Sequence, residues 1–190
     1  MRNHILRRYL PILIAACSLA LSGCLTAEYK ESIYRVRPDG SGSGVITYYN
    51  VTSSLEEGKD NSVHDYNDLV SKYIKGTKFE DNYPLLLNLK KRLVEREGKL
   101  VGEITFDFAH YEDVGLYRYQ DKGPWMYFIG STSEIAVERF DSSNGAGPTS
   151  QMPVVFWPDT TMEFRLIDRF DNAGQKSLSL LALYKKFGID

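Results

Sequence analysis

The chain is poor in the residue types that most often carry chemistry. Its 190 residues hold only two cysteines, Cys17 and Cys24, and three histidines, His4, His64 and His110. No thiol follows Cys24. This excludes a disulfide framework, a cysteine nucleophile, an iron–sulfur cluster and a cysteine zinc site from the body of the chain. Surplus positive charge is also lacking, with 23 Lys+Arg against 25 Asp+Glu. Without a basic stripe to gather phosphates or an anionic bilayer surface, neither nucleic-acid binding nor polybasic membrane docking is expected. The main apolar run, residues 9–21, is shorter than the roughly 20 residues that cross a bilayer core. There is no internal repeat and no long low-complexity linker.

What the N-terminus does have is an order. Arg2, Arg7 and Arg8 form a basic head without an acid, Tyr9 to Leu21 are largely apolar, and the small pair Ser22-Gly23 follows. This is the layout of a secretory signal. Leu21-Ser22-Gly23-Cys24 resembles the lipobox of bacterial lipoproteins. The resemblance implies cleavage between Gly23 and Cys24 and a covalent lipid, diacylglycerol with palmitate, on the Cys24 sulfur. No other cofactor is expected. Loss of residues 1–23 removes three arginines and leaves 167 residues with 20 basic and 25 acidic side chains, a formal charge of −5. Attachment then rests on lipid, since one acyl chain binds only marginally and two anchor stably. The expected organisation is a cleaved signal over 1–23, a lipidated N-terminus and short tether over 24–31, and a single globular domain over 32–190, a length that suits one core.

The rest reads as α+β with a mostly antiparallel sheet. Ser32–Val36 and Val45–Val51 flank Pro38-Asp39-Gly40-Ser41-Gly42-Ser43-Gly44, a hairpin signal in which proline presets φ and glycine supplies positive φ. Ser62 and Asp65 have capping-box spacing, and Tyr66, Leu69, Val70, Tyr73 and Ile74 recur with helical period before Gly76. Leu87–Arg96 and Lys99–Phe108 surround Glu97-Gly98. In the second of these, Ile104, Phe106 and Phe108 share one face, with Glu103, Thr105 and Asp107 on the other. Trp125–Ile129, Glu134–Phe140, Val154–Trp157 and Met162–Ile167 read as short strands, broken by Ser142-Ser143-Asn144-Gly145 and Pro158-Asp159. Ser177–Phe187 reads as a closing helix, giving two main helices.

Candidate chemistry is thin. Asp39-Gly40-Ser41-Gly42-Ser43-Gly44 has oxygen side chains at alternate positions, but the bidentate acid of a calcium loop would fall at Asn50 and the flanks are strands, so a turn is expected. His64 and Asp68 share a helical face without further ligands, and no metal site is expected. His110-Tyr111-Glu112-Asp113 and Ser131, Ser133, Ser142 and Ser143 carry no serine-hydrolase motif. The carboxylate pairs Glu112/Asp113, Asp159/Glu163 and Asp168/Asp171 are what an acid-rich composition produces, and convergence across a cleft is what a glycosidase needs. No catalytic residue is assigned.

Aromatics are abundant between Leu116 and Phe128 and again in Pro153-Val154-Val155-Phe156-Trp157-Pro158. Alternation sets Tyr117 and Tyr119 on one side of their strand and Trp125 and Tyr127 on one side of theirs. These four and Trp157 are the candidate ligand-binding aromatics, with a buried core as the competing assignment. Asp39-Gly40-Ser41-Gly42, Glu112-Asp113-Val114-Gly115-Leu116-Tyr117-Arg118-Tyr119 with Lys122-Gly123-Pro124, and Pro153-Val154-Val155-Phe156-Trp157 are similar to stretches in a group of uncharacterised bacterial lipoproteins. That likeness implies no activity. Leu25, where lipoproteins retained in the inner membrane carry aspartate, implies transport to the outer membrane in a bacterium that has one. The expected role is a lipid-anchored envelope protein that binds another envelope protein or a glycan. The alternatives are an accessory subunit of an outer-membrane assembly and an envelope hydrolase.

Overall fold

The computed structural model describes residues 25–55, 58–130, 138–170 and 176–189. Residues 1–24, which hold the expected signal segment with Gly23 and the expected lipidation site Cys24, lie outside them, as do Ser131, Ser133, Asp171 and the first four residues of the strand expected at Glu134–Phe140. The architecture is α+β with antiparallel pairing throughout the named strands. A six-stranded sheet runs in the order β5 (Leu87–Arg96), β6 (Lys99–Phe108), β3 (Gly42–Tyr49), β2 (Tyr29–Val36), β11 (Glu163–Phe170), β9 (Glu138–Ser143). Two three-stranded sheets accompany it: β1 (Leu25–Thr26), β4 (Thr52–Ser54) and β12 (Ser177–Ser179); and β10 (Val154–Trp157), β8 (Trp125–Phe128) and β7 (Leu116–Arg118).

The central hairpins follow from local sequence. Glu97 and Gly98 both have positive φ, 52° and 73°, the conformation of a two-residue turn whose twist matches that of the strands it joins. The expected alternation in β6 holds. Ile104, Phe106 and Phe108 are buried in the main core, while Glu103, on the other face, is held by Arg92 and Arg96 of β5. In the first hairpin, Asp39 Oδ1 accepts from the Ser41 amide at 3.0 Å and the Ser41 hydroxyl at 2.7 Å, and Gly40 takes φ +86°. The glycines beyond it are not loop. Gly42 and Gly44 are strand residues lying under Phe108 and Phe106, and a Cβ would meet those rings at 2.2 Å and 2.4 Å.

Several expectations are corrected. Thr26, Ala27 and Leu25 are buried, Leu25 pairs with Ser53, and the Glu28 amide donates to Tyr49 O at 2.9 Å. The described part of the expected tether, 25–31, is therefore built into the fold from Leu25 rather than forming a spacer. Asp65 does not close a capping box. It is buried and accepts a hydrogen bond from Ser53 Oγ of β4 at 2.5 Å, while Asp60 Oδ1 takes the Ser62 amide at 2.9 Å. The helix α1 (Ser62–Asp68) continues as a π-helix over Leu69–Ile74, with Tyr66, Leu69 and Tyr73 turned inward. Two further α-helices lie among the described residues, α2 (Lys78–Asn82) and α3 (Leu181–Phe187). The closing helix is shorter than expected because Ser177-Leu178-Ser179 alternates with period two and pairs with β4, leaving Leu181 as the first helical residue. Likewise Met162–Ile167 becomes Glu163–Phe170, which brings Asp168 inside a strand, and Ser142 and Ser143 extend β9.

One face of the large sheet is covered in two places. Towards one end lie the β7–β8–β10 sheet and α2, forming the larger core around Phe79, Phe164, Trp125 and Trp157. Towards the other lie α1, the π-helix and Leu180, closing on Leu93 and Leu100. Among the described residues no helix is long and apolar enough to cross a membrane.

Candidate functional site: the outer face of the small sheet

The small sheet is set by two registers. Tyr117 pairs with Met126 and Arg118 with Trp125, while Val154 pairs with Phe128 and Trp157 with Trp125. Because side chains alternate across a strand, Trp125, Tyr127, Leu116, Val155 and Trp157 point one way and Tyr117, Met126, Phe128, Val154 and Phe156 the other. The first set faces the large sheet. Phe164 of β11 stands between the two tryptophans, with ring centroids 5.1 Å from Trp125 and 5.3 Å from Trp157, both edge-on, the geometry that aligns a positive ring edge with a negative ring face. Trp157 Nε1 donates to Asn144 Oδ1 at 2.7 Å.

Trp125 and Trp157 are thus core, 3% and 2% exposed, and are corrected as binding candidates. Their large rings gain most from burial against β11, and β8 and β10 turn to deliver them. Tyr127 goes inward with them and is half-buried. Tyr117 and Tyr119 are exposed, 50% and 63%. They do not form one side of a strand as expected, because β7 ends at Arg118 and Tyr119 opens a 3-10 turn with Gln120 at φ 51°.

The face that remains open carries Tyr117, Met126, Phe128, Val154 and Phe156, with Phe128 64% exposed. Met152, just before β10, is exposed as well. Sequence reasoning missed Met126 and Phe128, although the same alternation that grouped Trp125 with Tyr127 puts these two opposite. Ring size favoured the wrong face. The patch is apolar with a phenol at one side, which suits contact with another apolar or aromatic surface.

Inside, the same sheet borders a polar island. Lys30 of β2 pairs with Glu138 of β9 and lies 3.2 Å from Asp168 of β11. Burial alone would push the Lys30 ammonium down, but the two carboxylates outweigh it and hold its pKa well above the ordinary lysine value. Burial also raises the Asp168 carboxyl, against the pull of Lys30 and with the help of Glu138. Around them burial raises the phenols of Tyr48, Tyr34 and Tyr127, the last to about 12. These groups keep each other charged or neutral inside the fold, an arrangement that stabilises one packing of β2, β11 and β9.

The other candidates are scattered. His64 is largely exposed beside Asp65, and Asp113 accepts the His110 amide at 2.9 Å. Glu163 pairs with Arg35, and Ser142 and Ser143 bond locally to Asp141 and Gly145. Among the described residues no three His, Cys, Asp or Glu side chains converge. No protein-family model, curated protein or solved structure matches the chain.

Proposed function

We propose that this is a lipid-anchored protein of the bacterial cell envelope, in the outer membrane where there is one, whose single α+β domain acts by binding another envelope protein rather than by catalysis. The observation that carries the binding role is the open outer face of the β7–β8–β10 sheet, where Tyr117, Met126 and Phe128 present an apolar surface. The anchor rests on the lipobox-like Leu21-Ser22-Gly23-Cys24 and would place that face near other envelope proteins without any charge-driven membrane attraction. A glycan partner has less support, because the two tryptophans that could stack on sugar rings are enclosed.

An accessory subunit of an outer-membrane assembly is the second reading, favoured by the same apolar face. The two readings separate on whether the partner is held through detergent extraction. The test is capture from the native envelope with the full lipidated chain, comparing wild type with Tyr117→Ser/Phe128→Ser and with Leu85→Ser, an exposed apolar residue outside the sheet. The proposal expects one protein to be retained by wild type and Leu85→Ser and lost by the double variant. Equal recovery by all three would remove the role of this face.

A further inference from the structure

A second apolar feature lies where the two halves of the core meet. A partly open cleft of about 60 Å³ runs between the large sheet and the π-helix, with Tyr48, Leu93 and Gly102 on one wall and Leu69, Tyr73 and Ile74 on the other. Leu25, Thr26 and Ala27, the residues that directly follow Cys24, also line it, together with Val51, Phe79 and Ile104 and the charged Lys91 and Glu103. At roughly 12 Å³ for each group the size of a water, it has room for about five. The walls are almost wholly apolar, and a cavity of that character stays dry and takes up hydrocarbon. Two local features keep it open. Gly102 carries no side chain where a Cβ would meet Leu93 at 3.7 Å and Tyr48 at 3.9 Å, ordinary contacts that leave the glycine a choice of space over packing. The π-helix is a costly conformation that recurs at functional sites, and here its inward residues form the opposite wall.

We infer that this cleft receives the first methylenes of an acyl chain carried by Cys24, an inference that rests on the lipid-anchor reading. Leu25 lines the cleft and is fixed by its pairing with Ser53, and consecutive Cα atoms are about 3.8 Å apart, so no described residue separates that wall from a glycerol on the Cys24 sulfur, whose ester-linked chains start a few bonds further on. The cleft is too small for a whole chain. It holds the near end, the rest continues into the bilayer, and the body is seated against the membrane in one orientation.

The experiment grows the full-length chain in a lipidating bacterium supplied with a fatty acid bearing a diazirine near its carboxyl end, irradiates, and maps adducts by mass spectrometry. The expected result is a lipidated N-terminal peptide with adducts on Leu69, Tyr73, Ile74 or Leu93. Gly102→Leu fills the cleft and is expected to lose these adducts while keeping the lipid. Gly102→Ala, which its surroundings admit, serves as the folded intermediate and is expected to reduce them. Lipid on Cys24 with adducts only to bilayer lipids overturns the cleft assignment and leaves the anchor standing. Adducts that persist in Cys24→Ala show a bilayer lipid as the occupant and also overturn it. Absence of lipid from the wild-type N-terminus overturns both.

Discussion

Asp168 faces Lys30 across adjacent strands of the large sheet, its Oδ2 3.2 Å from the lysine Nζ, and Glu138 completes the pair from the next strand. Removing the cation leaves two partly buried carboxylates facing each other. Lys30→Ala is therefore expected to destabilise by about 3 kcal/mol, the loss typical of breaking an inside ion pair from one side. Combining it with Glu138→Gln and Asp168→Asn should restore much of that. Urea unfolding midpoints of the single and triple variants decide it.

Glu103 and Asp168, two acids of the large sheet, respond to acid in opposite senses. Burial would raise Glu103, but hydrogen bonds from Arg92 and Arg96 outweigh it and lower its pKa, so its contribution is present above the unfolded value and lost as pH falls through the folded one. Asp168 is raised. Its folded form binds a proton more readily than the unfolded chain, so stability falls as pH rises from the unfolded towards the folded value. Glu103→Gln should flatten the loss of stability on acidification, and Asp168→Asn should steepen it, in unfolding midpoints followed across the carboxylate range.

Alkali tests the tyrosine shell. Tyr127 is pushed up to about 12, mainly by burial, against about 10 for an unfolded tyrosine. Between those values the folded state holds a proton that the unfolded state has released, so stability declines as pH rises through them. Phenolate absorbance should show a late-titrating group that disappears in Tyr127→Phe. An unchanged titration curve in that variant would contradict the assignment.

The two buried tryptophans should not respond alike to phenylalanine. Trp157 loses a 2.7 Å hydrogen bond to Asn144, whereas the buried Trp125 Nε1 has no acceptor among the described residues. With similar ring loss in both, Trp157→Phe should cost about 1 kcal/mol more than Trp125→Phe. Thermal unfolding of the pair measures the difference.

How far the sequence reveals this molecule depends on the range of the interaction. The Glu97-Gly98 hairpin was readable because a two-residue turn and a period-two pattern are local. Which face of β8 is inward was not, since alternation groups residues without saying which group meets Phe164. Gly42 and Gly44 look like loop until Phe106 and Phe108 arrive from β6, more than 60 positions away. The same distance effect hides the Lys30 ion pair from a local reading, since Glu138 and Asp168 lie over 100 positions further along. Gly42→Ala should accordingly destabilise by about 1–3 kcal/mol through overpacking, far more than a change in a free turn would.

The most direct test of the account is metabolic labelling with an alkyne fatty acid, followed by fractionation of wild type and Cys24→Ala. The account predicts a labelled, membrane-bound wild type, and a Cys24→Ala form that carries no label and leaves the membrane fraction. An unlabelled wild type, or a Cys24→Ala form that remains equally membrane-bound, would contradict it.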